Sequence, residues 1–421
     1  MKVRPISIAC ILMIMFSCSS VPVQQNDQKD TPSEIMLTIG GDPTSEYSVT
    51  WRTRESATKA VAEIIKAVPH PQFGNEATVV EGSTVTDYGE SKDRNSHKVS
   101  FTGLQPGTRY SYRVGNSKAW SEWFQFTTAK KEKEPFSFIY LGDVQTDIKS
   151  LGSRALREAY THFGREASFM LFVGDLVNRS SDDYWSEFFY AGGWMLGSLP
   201  SVVVAGNHEY NNTINGKTFS AHWHHLFGMP QNPPAGEYQD RFYWFDYQGV
   251  RFVGLDSPVM NKENKDIHSI LSWLEDALKE NPNRWSVVFT HYPVYSCSAG
   301  RDNEAYRDLL RPILEKYGVD LVLQGHDHTY CRGFNEANIT GDVKNPPLYV
   351  VTVAGPKMYK LKSDPWSDVT GQDRQLYQNI KVDNDTIFYD SYDVTGTLFD
   401  SFRLEKGANG VNRLIERKKL D

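Results

Sequence analysis

Asp143, Asp175, Asn207, His291, His326 and His328 are the side chains in this 421-residue sequence best placed to do chemistry. The first five each come directly after a short apolar run and one Gly or Thr, and His328 sits two residues beyond His326. Two carboxylates, one amide oxygen and three imidazoles suit borderline divalent metals. They are too many for one tetrahedral ion but fit two ions that share a carboxylate. Two ions about 3.5–4 Å apart can activate water and neutralise an in-line phosphoryl transfer. Any one of these histidines alone would read as an ordinary core or surface residue, so the ordered set carries the inference.

Such a set works only if one sheet edge gathers it. The stretch Ser201 to Tyr210, SVVVAGNHEY, shows how: a β-branched run suited to burial on both faces, a Gly break, then Asn207, His208 and Glu209 in a loop. From Phe136 onward strands alternate with helical patterns, the texture of an α/β layer fold. Strands are predicted at Phe136–Leu141, Ser168–Val173, about Val202, Trp285–Phe289, Val319–Leu323 and Leu348–Val353, with a hairpin joining Phe242–Tyr247 to Val250–Leu255. Helices are predicted at Ser150–Phe163, Asp183–Leu196, Ile267–Leu278 and Ala305–Tyr317. Ligands in α/β sheets collect outside the carboxyl ends of strands, where these polar residues fall. Tyr210 to Asp240 reads as a long loop, Ile380 to Leu404 as a β-meander closing a second sheet, and Lys406 to Asp421 as a loose charged tail.

Residues 34–129 have a different texture. Val49-Thr50-Trp51, Thr84-Val85-Thr86 and Val99-Ser100-Phe101 alternate, and turn residues separate them at short intervals, which is a sandwich pattern. Leu104 to Gly115 resembles the turn-then-strand signature of fibronectin type III domains. The charged run Lys130 to Glu134 before Pro135 marks the boundary to a second domain over 135–405, with 406–421 as the tail.

Hydrophobic residues make up 39% of the chain, enough for two cores, and the net charge is −7. That acidic balance lacks the basic face by which a nucleic-acid binder displaces counterions. Met1 to Ser17 reads as an export signal, with Lys2 and Arg4 ahead of an apolar run too short to span a bilayer. Met15-Phe16-Ser17-Cys18 resembles a bacterial lipobox, so residues 1–18 are expected to direct lipidation of Cys18. Residues 19–33 then form a polar stalk off the membrane. Of the body cysteines, Cys297 and Cys331, either a disulfide or two free buried thiols is compatible with export.

Gly142-Asp143, Gly174-Asp175, Gly206-Asn207-His208-Glu209, Thr290-His291 and Gly325-His326-Asp327-His328 together resemble the five blocks of calcineurin-like metallophosphoesterases. The preceding fibronectin-like domain makes the chain most similar to the purple acid phosphatase branch. The resemblance implies that Asp143, Asp175 and His328 hold a first metal. It implies that Asp175 bridges to a second held by Asn207, His291 and His326, and that His208 sits beside the phosphate as hydrogen-bond donor or acid. Two departures weaken the first seat: Asn178 stands where that branch has a tyrosine ligand, and Gln145 where other members have a histidine. Gln145, Asn178 or water would fill the gap, which points to two divalent ions (Mn, Zn or Fe) rather than a coloured ferric–tyrosinate pair.

The family's histidines after the fourth block are also missing, and Arg301 is either a phosphate clamp or a solvated loop arginine. His222, His224 and His225 read as a packed or solvated cluster, and His70, His97, His162 and His268 as ordinary. Cys297 lies six residues past His291 and Cys331 three past His328, so two loops leaving one metal site would bring them within disulfide reach. The expected function is an exported, lipid-anchored phosphomonoesterase in which a metal-bound hydroxide attacks a small phosphorylated substrate. The rivals are a phosphodiesterase on the same site and a decayed enzyme acting as a binding protein. Neither substrate identity nor oligomeric state is encoded legibly.

Overall fold

The computed structural model describes residues 31–54, 59–86, 94–116, 119–213, 216–334, 345–362 and 366–419. The export signal, Cys18 and nearly all of the stalk lie outside the described residues. No helix among the described residues is long and apolar enough to cross a membrane.

The N-terminal region is all β: β1 Ser33–Ile39, β2 Tyr47–Arg54, β3 Val61–Lys66, β4 Thr78–Glu81, β5 Ser83–Val85, β6 Arg94–Phe101, β7 Arg109–Gly115 and β8 Phe124–Thr127. Strands β4-β3-β7-β8 form one sheet, and β1-β2-β6-β5 face it. Val99 and Phe101 of β6 and Phe124 and Phe126 of β8 are buried between them, as the two-residue period of a strand dictates.

The α/β region opens with β9 Phe136–Leu141, α1 Ser153–Phe163, β10 Ala167–Phe172, α2 Asp182–Gly192, α3 Met195–Ser198 and β11 Ser201–Val203. Strands β9, β10 and β11 pair in parallel and, Ser168 apart, are buried along their length, as their apolar runs require. The helix expected over 183–196 is interrupted, because Gly193 at φ 51° closes α2 before α3 resumes. The stretch Tyr210 to Asp240, expected as a loop, carries the hairpin β12 Tyr210–Thr213 with β13 Gly216–Phe219, and α4 Trp223–Leu226.

A second sheet holds β14 Tyr243–Tyr247, β15 Val250–Leu255, β16 Trp285–Thr290, β17 Leu321–Gln324, β18 Tyr330–Gly333, β19 Leu348–Val351 and β20 Val369–Gly371, in the order β14-β15-β16-β17-β19-β18-β20. Helices α5 Ile267–Lys279 and α6 Glu304–Lys316 cover it with amphipathic faces: Ile270 and Leu274 of α5 and Leu310 and Leu314 of α6 are buried. The chain ends in β21 Leu376–Asp383, β22 Thr386–Asp393, β23 Leu398–Lys406 and β24 Asn412–Lys419.

This meander does not close a second sheet. Strand β21 pairs antiparallel with β9 and so extends the first sheet. At the other edge β1 pairs in parallel with β11, Thr38 opposite Ser201. The result is one eleven-stranded sheet, β24-β23-β22-β21-β9-β10-β11-β1-β2-β6-β5, shared by both regions. The residues expected as a loose tail supply its edge strand β24. There Arg413 pairs with Glu405 at 2.7 Å and Glu416 with the buried Arg332 at 2.6 Å, so charge stabilises a strand that composition alone argued against.

Candidate metal centre

The loops that leave β9, β10, β11, β16 and β17 carry Asp143, Asp175, Asn207, His291 and His326, with His328 two residues on. The five loops meet at the carboxyl ends of strands from two facing sheets. Asp143, Asp175, His326 and His328 hold left-handed backbone, at φ 51°, 50°, 74° and 49°. That conformation is uncommon for residues with a Cβ, and it turns the side chains inward. The glycines ahead of the ligands are required by close approach. A Cβ on Gly206 would lie 2.2 Å from Asp175 Oδ1, and one on Gly325 2.4 Å from Asp143 Oδ2.

The resulting cluster sets acceptors against acceptors. His291 Nε2 lies 3.2 Å from Asp175 Oδ2, 3.3 Å from Asn207 Oδ1 and 3.2 Å from His326 Nδ1. His291 Nδ1 donates to the Val173 carbonyl at 2.8 Å, which leaves Nε2 as the ligating nitrogen. His328 Nε2 is 3.7 Å from Asp143 Oδ1, a buried carboxylate oxygen that accepts no hydrogen bond among the described residues. Two triads of ligand atoms overlap at one residue: Asp175, His291 and His326, and Asp143, Asp175 and His328. A buried carboxylate oxygen without a hydrogen-bond partner and ligand atoms crowded against one another fit two cations that would share Asp175.

The titration behaviour is that of a crowded buried cluster that holds protons in places a cation would have to displace. Burial disfavours a charged His291, but the Asp175 carboxylate outweighs it and holds the imidazole up at about 9. Burial opposes ionisation of Asp175 too, yet the His291 charge and hydrogen bond keep it well below the usual carboxylate range. Burial pushes the Asp143 carboxyl well up, against the pull of His291. Burial first, then the Lys357 charge, lowers His328 to about 3, so it is neutral and able to ligate near neutral pH.

Gln145 and Asn178 are placed differently. Gln145 is fully buried, and its amide Nε2 reaches Asp175 Oδ2 at 2.9 Å and His328 Nε2 at 3.0 Å, both atoms of the first seat. Asn178 faces a side cavity, and its backbone carbonyl accepts from His208 Nδ1 at 2.6 Å. His208 Nε2 is therefore turned toward Asp175 Oδ2, 3.9 Å away. Arg301 borders the centre, but one guanidinium nitrogen donates to the His326 carbonyl at 3.0 Å and the ring of Tyr359 lies under it at 4.6 Å. His222 and His224 stand beside Asp182 and Asp240, away from the ligands. A disulfide joins Cys297 to Cys331, Cα atoms 6.6 Å apart, and ties the loops that follow His291 and His328.

Two buried carboxylates that the sequence reading left without a role hold the ligand loops in place. Glu209 accepts from the backbone N–H groups of Asp175 (3.0 Å), Leu176 (2.9 Å) and Gly206 (2.7 Å), locking two ligand loops together. Burial and then the Asp175 charge push it up to about 8. Asp327, between the two histidine ligands, accepts from Ser296 Oγ at 2.6 Å and the Cys297 N–H at 2.8 Å. Their adjacency to ligands in the sequence was the only available signal.

A cavity of about 680 Å³ opens on the His208 side of the centre. A larger one, about 890 Å³, lies at the opposite, amino ends of the parallel strands and is lined by none of the ligands.

Known proteins carry both halves of this arrangement. The profile of the calcineurin-like phosphoesterase family matches residues 113–330, just over half of the chain, and that of the purple acid phosphatase N-terminal domain matches residues 32–128. Mouse acid phosphatase type 7 is 26% identical over 383 residues, 80% of this chain and 82% of its own. Purple acid phosphatase 21 of Arabidopsis thaliana is 26% identical over 322 residues, 74% of this chain and 68% of its own. Among solved structures, the purple acid phosphatase PPD1 from yellow lupin superposes with a TM-score of 0.73 at 16% identity, covering 90% of this chain and 75% of that one. PhoD superposes at 0.67 and 14% identity, with 93% of each chain covered.

Proposed function

The chain belongs to the calcineurin-like phosphoesterase family and is a metal-dependent phosphoester hydrolase; from that premise we propose an exported, lipid-anchored phosphomonoesterase that uses two divalent ions. The observation that carries the reading is the pair of overlapping ligand triads sharing Asp175. Asp143, Asp175 and His328 would hold one ion, with the Gln145 amide hydrogen-bonded to Asp175 and His328 beside it, and Asp175, Asn207, His291 and His326 would hold the other. When bound, the ions supply the Lewis acidity that activates water and offsets charge on the phosphoryl oxygens. Carboxylate, imidazole and amide donors without a phenolate favour Mn, Zn or ferrous Fe.

The chain's own groups do the rest. Asn178 fixes the His208 tautomer, so Nε2 faces the centre and can carry a proton to the departing ester oxygen. Glu209 and Asp327 keep the ligand loops from relaxing apart. The lipid anchor rests on the leader and Cys18.

Chelation, followed by separate re-addition of Mn, Zn, Fe and Mg, tests the reading with p-nitrophenyl phosphate and bis(p-nitrophenyl) phosphate side by side. The expected result is monoester hydrolysis restored by at least one divalent ion and slower diester turnover. Activity indifferent to chelation would refute the metal role, and faster diester hydrolysis would replace the monoesterase with a diesterase.

A further inference from the structure

The cavity beside His208 shares Asn207 and His208 with the metal centre and is otherwise lined by the loop after β10 and by the β12–β13 hairpin. In a chain of net charge −7 no carboxylate lines it among the described residues, whereas Arg179 and Lys217 do. Both cations are exposed, and neither side chain has an ion pair or hydrogen bond among the described residues. Their backbones are nonetheless well held. Ser180, next to Arg179, bonds Ser220 Oγ at 2.5 Å and accepts from Trp185 Nε1 at 2.9 Å. Lys217 sits opposite Asn212 in the hairpin ladder. Tyr210, the one phenol among the described lining residues, has its hydroxyl committed to Asp256 at 2.6 Å. Among the described residues the wall therefore offers two free cations and several amides, and no apolar slot for an aryl or acyl arm.

We infer that this cavity receives the alcohol arm of the substrate and that the arm carries a second phosphate, so the preferred substrates are small sugar or polyol bisphosphates. The inference rests on the phosphoesterase reading. Water attacks the phosphorus held at the metal centre, and the bond from phosphorus to the ester oxygen breaks. That oxygen takes a proton from His208, which regains one from the attacking water. The products are inorganic phosphate and an alcohol that keeps its other phosphate between Arg179 and Lys217.

The test compares kcat/KM for glucose 1,6-bisphosphate and glucose 6-phosphate on the metal-loaded full chain. A preference of about tenfold for the bisphosphate is expected, as one or two part-screened charge pairs would provide. It should shrink with added salt and fall to near the statistical factor of two in Arg179→Ala/Lys217→Ala. Arg179→Lys, which keeps the charge, should retain most of it. A wild-type ratio within twofold, or a tenfold ratio that survives in the double variant, overturns the inference. Hydrolysis of neither ester would instead refute the phosphoesterase reading, and the inference with it.

Discussion

The two ion seats are built from the same loop ends but differ in their exposure to solvent. The first, made by Asp143, Asp175 and His328 with Gln145 beside them, is wholly buried, none of the four more than 1% exposed. The second shares Asp175 and adds the buried His291, but its remaining members Asn207 and His326 are only partly buried, and Asn207 lines the cavity beside His208. Both seats include a neutral amide, Gln145 beside the first and Asn207 in the second, so the clear difference between them is burial. A closed seat retains its ion through slow exchange, and an open, well-coordinated seat can bind both an ion and a phosphate oxygen.

Asp175 is the one residue that serves both, so Asp175→Ala gives the largest expected effect. Activity should fall about a thousandfold or more, with at least one ion lost per chain and the far-UV spectrum unchanged. Activity within tenfold of wild type would mean that the seats do not share a bridge. His208→Ala comes next. It should leave metal content intact but slow alkyl phosphates about a hundredfold, and nitrophenyl phosphate far less, because proton donation matters most for a poor leaving group. Equal losses on both substrates would remove His208 from the acid role.

Gln145 separates the seats more finely. Gln145→His supplies a strong donor in the buried seat, and Gln145→Ala removes the amide. Retention of the first ion against a chelator should rise about tenfold in the former and fall by a similar factor in the latter. If neither variant shifts metal retention, Gln145 is not part of the seat. Asn178→Ala, which lines the cavity instead, should leave retention as it was. The smallest effect is spectroscopic. Tyr184, the phenol nearest to Asn178 in the sequence, is a half-buried residue of α2 packed against the main core rather than a substitute for the missing ligand. The protein should show no intense visible band, and a band lost in Tyr184→Phe would contradict this account of the seat.

Much of this centre was legible in the sequence because its ligands punctuate strands. Apolar runs such as Phe136–Leu141 and Ser201–Val203 have the length of a buried strand, and each is followed by a Gly and a polar ligand. Other features depend on contacts between distant segments and leave little local trace. Nothing in Ser33–Ile39 indicates that β1 pairs with β11 and fuses two regions into one sheet, since a buried strand carries no label for its neighbour. Glu209 looks like a loop carboxylate until the fold brings three backbone N–H groups to it. Arg179 and Lys217 lie far apart in the chain and share a cavity only through the β12–β13 hairpin, in a stretch that read as a plain loop. Residues 412–419 looked like a solvated tail because their charges dominate the composition, whereas the cross-strand partners that pair them belong to β23 and β18.

The claim on which everything else rests is that Asp175 joins two ions into one working unit. Metal-free protein titrated with Mn or Zn, with bound metal and phosphatase activity followed in the same samples, tests it most directly. The account predicts that activity stays low through the first equivalent and rises steeply as occupancy approaches two per chain. Full activity at one equivalent, or in protein with almost no bound metal, would contradict it.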